Sequence, residues 1–266
     1  MQLNLFERKR FQALSDFQQL SQEGATVDEI KRLLIDTDFF KCPKNNISFK
    51  QQHSRLIDQI IDFRVSFVEE MLLYQAAGFD PDGNHETWGP KIHGGVQTWV
   101  GLDNETLQTP YSDIFRILQI LKLRPYQEII DLGAAYGRMG VVIGGIYPKN
   151  SFTGYEFVKE RVEEGNRLYQ KYGLKNAKLI QADLGSPEFK LPLADIYFIY
   201  DFGQVEHIIK TLKEIEDLSQ RRPIKVVVRG KWSQEIISKQ FSSYELLYEG
   251  RLEKPFQIYL VRIFNN

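Results

Sequence analysis

Cysteine is nearly absent from the chain: Cys42 is the only one among 266 residues. A single cysteine excludes an intrachain disulfide and a zinc site built from several thiolates, and such sparse use is typical of a reducing compartment. The sequence also lacks an apolar run of the ~20 residues that a membrane span needs. Residues 1–10 lack the apolar stretch of a signal peptide. We therefore expect a cytoplasmic protein with no membrane partner.

An excess of charge of one sign is lacking too. Lysine and arginine number 34 and aspartate and glutamate 35, which gives a formal net charge of -1 at pH 7. A protein that binds nucleic acid through its phosphates usually carries a basic excess. Nucleic acid is therefore an unexpected partner, and a protein or a small molecule is favoured.

The first part of the sequence has a helical pattern. Apolar side chains recur at helical spacing through about the first eighty residues. Thr26 and Glu29 are placed as in a capping box and predict the start of a helix. A longer amphipathic helix is predicted by a later apolar series: Ile57, Ile60, Ile61, Phe67, Val68, Met71 and Leu72. We expect a helical N-terminal region over residues 1–111, which ends in a structured loop rich in glycine, proline and tryptophan.

From residue 128 onward, strand and helix patterns alternate. The predicted strands cover residues 128–132, 151–157, 177–182, 195–200 and 224–229. Such alternation is typical of parallel strands joined by right-handed crossovers, so we predict an α/β fold with a doubly wound sheet over residues 112–266. Two more strands, 245–249 and 256–264, have no helical pattern between them. They predict a seven-stranded sheet that ends in a hairpin with one antiparallel strand.

Residues 129–138 read Ile-Ile-Asp-Leu-Gly-Ala-Ala-Tyr-Gly-Arg, an apolar strand that ends in an acid and leads into a turn of small residues. This layout lets main-chain N–H groups and a carboxylate approach a nucleotide-like ligand. The run resembles the first motif, acid-x-Gly-x-Gly-x-Gly, of the class I (Rossmann-like) S-adenosylmethionine-dependent methyltransferases. Gly133 and Gly137 match the first and third glycines, and Ala135 stands at the second. The resemblance covers residues 112–266, includes the terminal hairpin, and implies S-adenosyl-L-methionine as the cofactor.

Ligands in open α/β sheets bind beyond the carboxyl ends of the strands, and the candidate residues stand at predicted strand ends. The small residues Gly133, Ala135 and Gly137 let a ligand touch the main chain. Asp131 either orders this turn or lies near the amino-acid end of the cofactor. Glu156, at the end of the second strand, can accept hydrogen bonds from both ribose hydroxyls and repels a 2′-phosphate.

The resemblance implies an adenine site beyond the second and third strands. Phe157 is expected to lie against an adenine face. The Asp183 carboxylate is expected to accept from the adenine amino group, and the Leu184 N–H to reach a ring nitrogen. Asp183 has an alternative role as a cap of the turn that precedes Ser186 and Pro187.

Asp201 ends the fourth predicted strand, where the resemblance implies a position that faces both methionine and the methyl acceptor. The Asp/Asn-Pro-Pro-Tyr motif that DNA and glutamine methyltransferases carry at this place is missing. His207 stands at the start of the next helix and is a candidate general base near neutral pH. Its alternative role is that of a solvated polar residue. We take Asp201 and His207 as the candidate catalytic residues.

The segment Thr109-Pro110-Tyr111 resembles the one before the core of Dot1-like lysine methyltransferases. A hydroxyl of Thr109 or Tyr111 is expected to meet the cofactor carboxylate, and lysine becomes one hypothesis for the acceptor. Residues of the preceding loop are expected either to cover the open side of the cofactor or to pack the helical region on the sheet: His85, Trp88, His93 and Trp99. Because the histidines lack the close spacing of metal ligands, no metal site is expected.

The sequence therefore predicts an S-adenosylmethionine-dependent methyltransferase that acts on a protein side chain or a small molecule. A nicotinamide-dependent oxidoreductase shares the glycine turn and the acid after the second strand. The terminal hairpin and the missing Tyr-x-x-x-Lys pair after the fourth strand argue against that alternative. A non-catalytic cofactor-binding module of the same fold also stays open, since Ala135 departs from the motif and no acceptor motif is present.

Overall fold

The computed structural model describes residues 11–77, 108–252 and 255–262. In the described N-terminal part, α-helices and a short 3-10 helix (Thr37–Phe40) precede the sheet. The α-helices are α1 (Leu14–Glu23), α2 (Val27–Leu34), α3 (Ile47–Ile60) and α4 (Val65–Ala77). The predicted helical character of this region is confirmed. No helix among the described residues is long and apolar enough to cross a membrane.

A single sheet forms the core of the described part. Its strands are β1 (Glu128–Leu132), β2 (Ser151–Glu156), β3 (Ala177–Gln181), β4 (Ile196–Ile199), β5 (Ile224–Val228), β6 (Tyr244–Arg251) and β7 (Pro255–Val261). The helices around it are α5 (Tyr111–Leu121), α6 (Arg138–Ile146), α7 (Lys159–Tyr172), α8 (Val205–Ser219) and α9 (Lys231–Gln240). The spatial order is β3-β2-β1-β4-β5-β7-β6, with β1 to β5 parallel and β7 antiparallel to both of its neighbours. The predicted doubly wound sheet with a terminal antiparallel hairpin is confirmed.

The central strands are almost continuously apolar because helices cover both faces of the sheet. All four residues of β4, Ile-Tyr-Phe-Ile, are buried. In β5, which reads Ile-Lys-Val-Val-Val, only the lysine is partly exposed. β-branched side chains of this kind favour extended backbone and pack well on a pleated surface.

The strand order reverses at β1, which lies between β2 and β4. Leu132 at the end of β1 is paired with Tyr155 of β2 and with Ile199 of β4. The carboxyl ends of these three strands therefore meet at one edge. This is the switch point at which ligands bind in open α/β sheets.

Two hydrophobic clusters cover the two faces of the sheet. One runs from Phe17 and Phe39 of the N-terminal helices through Leu118 of α5 to Phe152 of β2. The other lies under α8 and α9 and includes Ile208. Because the first cluster is continuous across residues 111 and 112, the predicted division at that point does not coincide with a gap in the core. It stays a prediction.

Buried ion pairs also join the N-terminal helices to the rest of the chain: Lys50–Asp113, Asp58–Arg138 and Glu69–Arg161. Removing one partner of a buried pair leaves a charge without compensation and typically costs 3–5 kcal/mol. The N-terminal helices are thus held on the sheet by charge as well as by apolar packing.

One prediction for the helices is confirmed and another is wrong. Thr26 accepts from the Glu29 N–H, and the Glu29 carboxylate accepts from the Thr26 N–H, which is the predicted capping box. The long helix predicted through residues 57–72 is instead two helices, α3 and α4. Asp62 between them adopts a left-handed φ of 53°, and the Phe63 N–H donates to the Asp58 carbonyl at 2.7 Å. Because the apolar spacing continues across this turn, the sequence pattern does not indicate the break between the two helices.

We predict that Gly137→Ala destabilises the fold far more than Gly173→Ala, although both glycines have a left-handed φ, of 77° and 69°. A Cβ at residue 137 would lie 2.2 Å from the Tyr169 hydroxyl oxygen, whereas one at residue 173 meets nothing within 4 Å. The control Gly173→Ala should lose only the backbone cost of a left-handed alanine, about 1–2 kcal/mol. Gly137→Ala should lose at least about 2 kcal/mol more, because the clash is added. Urea unfolding measures both losses, and equal losses would contradict the prediction.

Candidate functional site

A cavity lies at the carboxyl ends of β1, β4 and β5, under α5 and the start of α6. Its volume of about 60 Å³ is room for about four water-sized groups. The apolar part of its wall consists of Ile114, Ile117, Met139, Phe198 and Val227. The polar part includes Gln108, Thr109, Asp131, Arg138, Tyr200 and Arg229. Such a cavity suits the polar end of a larger ligand.

The turn after β1, residues 133–137, forms one side of the cavity. Gly133, Ala135 and Gly137 have left-handed φ values of 81°, 47° and 77°. The Gly133 and Ala134 N–H groups donate to the Tyr155 carbonyl at 3.0 and 2.9 Å, which ties the turn to β2. A left-handed alanine costs roughly 1–2 kcal/mol that a glycine would avoid. Gly133 and Ala135 line the cavity, and Gly137 precedes α6 outside its lining.

Glu156 at the end of β2 holds the middle of this turn. Its Oε2 accepts from the Ala135 N–H at 2.9 Å, and its Oε1 accepts from the Val158 N–H at 3.0 Å. The residue is 7% exposed and does not line the cavity. A carboxylate has about four lone-pair sites. These two bonds therefore leave Glu156 able to accept further donors.

Asp131 at the end of β1 lines the cavity. Burial, together with the nearby charge of Glu156, raises the pKa of Asp131 from 3.8 to about 7. Both causes disfavour the ionised carboxylate. A cationic group placed in the cavity would favour it, so the site is suited to a ligand ammonium.

Arg229 and Gln108 bring buried polar atoms to the cavity that the sequence reasoning missed. Arg229 is 6% exposed, and its Nη2 donates to Asp113 at 3.2 Å, while its Nε and Nη1 have no hydrogen-bond partner among the described residues. Gln108 is 8% exposed, and within the described part of the chain neither its amide oxygen nor its nitrogen has a partner. The Asp113 carboxylate is shared with Lys50 Nζ at 2.8 Å, so one acid faces two cations. Because unpaired buried donors are costly, this end of the cavity is suited to an anionic group.

One signal in the sequence points to Arg229. It follows directly on the apolar strand β5, at the sheet edge where the other candidates were sought. Gln108 carries no such signal, since only the fold brings it to the cavity.

The two candidate catalytic residues act as helix caps. Asp201 accepts from the main-chain N–H groups of Trp232 and Ser233 at 3.0 and 2.9 Å, and from the Ser233 hydroxyl at 2.5 Å. His207 Nδ1 accepts from the Gln204 N–H at 3.3 Å at the start of α8. While Nδ1 accepts this bond, it is not available to take up a proton. Neither residue lines the cavity, and their catalytic roles stay predictions.

The predicted adenine residues lie outside the cavity lining. Asp183 Oδ1 accepts from the Gly185 N–H at 2.9 Å, which is the turn-capping role proposed as its alternative. Leu184 is buried in the cluster under α8, and Phe157 packs against the cluster on the opposite face. The binding roles of these three residues stay predictions.

Thr109 and Tyr111, the two hydroxyl-bearing candidates near the start of α5, lie in different surroundings. Thr109 lines the cavity, whereas Tyr111 is fully buried and its hydroxyl donates to Asp58 at 2.7 Å. Tyr111 is thus bonded to the N-terminal helices and does not line the cavity, and the cofactor roles of Thr109 and Tyr111 stay predictions. The aromatic and histidine residues of the predicted covering loop lie outside the described residues: His85, Trp88, His93 and Trp99. Within the described ranges, no group of three His, Cys, Asp or Glu side chains is placed to hold a metal ion.

No protein-family model matches the chain. No curated protein matches it either. Among solved structures, it is similar to TrmN from Thermus thermophilus at 14% identity and a TM-score of 0.45, over 59% of this chain and 50% of that one. It is also similar to a SAM-dependent methyltransferase from Aquifex aeolicus, at 12% identity and a TM-score of 0.44, over 57% of this chain and 90% of that one. A third similar structure is an RNA methyltransferase from Salinibacter ruber in complex with S-adenosyl-L-homocysteine. The identity is 15% and the TM-score 0.46, over 60% of this chain and 97% of that one.

The chain thus spans about half the length of the TrmN structure that it matches.

We predict that Asp131→Asn stabilises the protein at alkaline pH. With the pKa of Asp131 raised from 3.8 to about 7 in the folded state, the unfolded chain releases this proton first. Stability therefore falls as the pH rises from about 4 to 7, by on the order of 4 kcal/mol. Asparagine removes that penalty, so urea unfolding at pH 8 should show a gain on the order of 2–4 kcal/mol that shrinks towards pH 4.

The exposed acid Asp217 supplies the control for this measurement. Asp217→Asn should give no gain at either pH. A gain from Asp131→Asn that is the same at pH 4 and pH 8 would show that its cause is not the ionisation of the carboxyl group.

Proposed function

We propose that the chain is an S-adenosylmethionine-dependent methyltransferase that binds its cofactor across the carboxyl ends of β3, β2, β1 and β4. One observation carries the proposal. Residues 133–135 of the turn line a cavity at the switch point of the sheet, and the Glu156 carboxylate holds this turn through the Ala135 N–H. Main-chain groups and acids at strand ends are what a nucleoside-containing ligand needs at this place.

The residues around the cavity fit the amino-acid end of that cofactor, which carries an ammonium and a carboxylate. Asp131 is placed for the ammonium, whose charge would lower the pKa of this acid and favour its ionised form. Arg229 and Gln108, with unpartnered buried atoms, and Thr109, with its hydroxyl, are placed for the carboxylate. The cavity thus has groups of both signs for a zwitterion.

For the nucleoside part we retain the assignments made from the strand ends. Glu156 would accept from the ribose hydroxyls with the lone pairs that its two main-chain bonds leave over. Phe157 would lie against the adenine face. Asp183 would accept from the adenine amino group, and the Leu184 N–H would reach a ring nitrogen. In strand order these residues follow β2 and β3, on the side of β1 away from β4.

When bound, S-adenosylmethionine supplies a methyl group on a positively charged sulfur. The chain has to align the acceptor with this methyl group and, where the acceptor carries a proton, to receive that proton. Asp201 and His207, which follow β4, are the candidates for these tasks. His207 has to release the Gln204 N–H before its Nδ1 can take a proton.

We further propose a protein side chain or a small molecule as the acceptor. The formal net charge of -1 supports this choice over nucleic acid. Lysine is one hypothesis within that class, from the resemblance of residues 109–111 to Dot1-like enzymes. The single Cys42 supports a cytoplasmic setting.

A second candidate function is binding of the cofactor without turnover. It is favoured by the engagement of both catalytic candidates as helix caps, with three hydrogen bonds on Asp201. Methyl transfer measured on a protein that binds the cofactor would decide between the two.

We expect isothermal titration of the purified chain to show binding of S-adenosylmethionine and S-adenosylhomocysteine and no binding of NAD. Glu156→Gln keeps an oxygen for the Ala135 N–H but removes the charge that strengthens the ribose bonds. Affinity should fall at least about tenfold, since a hydrogen bond to a charged group is worth about 1.5–3 kcal/mol.

The matched control is Glu163→Gln, since the Glu163 side chain on α7 is 63% exposed. Its affinity should equal that of the parent. Binding of NAD without binding of either sulfur compound would overturn the proposal in favour of a nicotinamide-dependent oxidoreductase.

A further inference from the structure

We propose that Arg161 of α7, oriented by Glu69 of the N-terminal helix α4, is a positioning residue for Glu156, so that the N-terminal helices help to set cofactor affinity. This inference rests on the proposed function, because it assigns Glu156 to the cofactor. It adds a role for residues that do not line the cavity.

Arg161 and Glu69 form a two-pronged pair in the interior. The Arg161 Nε and Nη2 donate to the two carboxylate oxygens of Glu69 at 2.7 and 3.2 Å. Each residue is 5% exposed. Two parallel bonds of this kind fix the plane of a guanidinium as well as its position. Glu69 therefore determines where the third nitrogen of Arg161 lies.

That third nitrogen faces Glu156. The Arg161 Nη1 lies 3.8 Å from the Glu156 Oε1, and the charge of Glu156 contributes to raising the pKa of Arg161. At the neighbouring strand end lies Asp131, a second acid, whose pKa is raised by burial and by the charge of Glu156. Arg161 thus supplies a cation next to one of two acids at neighbouring strand ends. Its charge attracts the Glu156 carboxylate that holds the turn.

Glu69 also reaches the turn directly. The hydroxyl of Tyr136, within residues 133–137, donates to the Glu69 Oε1 at 2.8 Å. The Tyr136 ring is buried, with its centroid 5.9 Å from the guanidinium carbon of Arg161 and 5.9 Å from the Phe63 ring. One acid of α4 therefore contacts the turn through Tyr136 and, through Arg161, the carboxylate that holds it.

A second ion cluster on α7 provides a matched control. Arg167 donates to Glu164 at 2.7 Å and lies 3.4 Å from Asp62, in the connection between α3 and α4. Like Arg161, it joins α7 to the N-terminal helices. Among the described residues it bonds to Glu164 and Asp62 and to neither Glu156 nor the turn, so its loss should affect stability alone.

The experiment measures the affinity of the full chain for S-adenosylhomocysteine by isothermal titration, beside its thermal midpoint. We expect Arg161→Met and Glu69→Gln each to weaken binding fivefold or more. Arg161→Lys, which keeps the charge but not the two-pronged contact with Glu69, should weaken binding less than Arg161→Met does. Arg167→Met should lower the midpoint and leave affinity within twofold.

A double-mutant cycle separates positioning from general loss of structure. If Arg161 acts through Glu156, Arg161→Met should weaken binding less than twofold when it is added to Glu156→Gln. A full additional loss in that background would overturn the inference. If Arg161→Met does not fold, Glu69→Gln in the same two backgrounds gives the same test.

The outcomes distinguish this inference from the proposed function. Normal affinity in Arg161→Met and Glu69→Gln, beside a weakened Glu156→Gln, overturns the inference alone. No binding of S-adenosylhomocysteine by the parent chain overturns both.

Discussion

The hydrogen bond from the Ala135 N–H to the Glu156 carboxylate is the contact on which the site depends. It joins the end of β2 to the middle of the turn after β1, at 2.9 Å. Because the same carboxylate accepts from the Val158 N–H, it also fixes the start of the segment that leads into α7. The turn, two strand ends and one helix are therefore held in a single geometry. Ala135 adopts a left-handed conformation in that setting, between Gly133 and Gly137, which adopt it without a Cβ.

Charge sets a second constraint on the same edge of the sheet. Asp131 and Glu156 are acids at adjacent strand ends, while Lys50 and Arg229 share the single carboxylate of Asp113. In a low-dielectric interior neither an excess of acid nor an excess of base is stable without a partner. A zwitterionic ligand end would satisfy both groups at once. Without such a ligand, the unpaired charges lower the stability of the fold, as is common in sites that are arranged for binding.

The strands and the parallel character of the sheet follow from local sequence. β1 is predicted to the residue, since its apolar run is bounded by Asp131 and the glycine turn. The alternation of strands and helices predicts the parallel sheet, and the missing helix between the last two strands predicts the hairpin. These features depend on neighbouring residues only. The break at Asp62 escapes the same reasoning because apolar spacing continues across it.

The residues whose roles depend on distant partners could not be predicted in this way. Asp201 is placed at a strand end as expected, but the N–H groups that it caps belong to a helix about thirty residues further along. Arg229 reaches the cavity because Asp113 of α5 holds it there. The sequence around Arg161 indicates an exposed charge on a surface helix, but in the fold α4 packs over it and buries it. Such roles follow from packing, on which a single sequence gives little information.

A crystal structure of the chain with S-adenosylhomocysteine tests the central claim most directly. The account predicts the amino-acid end of the ligand in the cavity between Asp131 and Arg229, and the ribose hydroxyls on the Glu156 carboxylate. Density for the ligand at another surface, or a Glu156 that keeps only its two main-chain bonds, would contradict it.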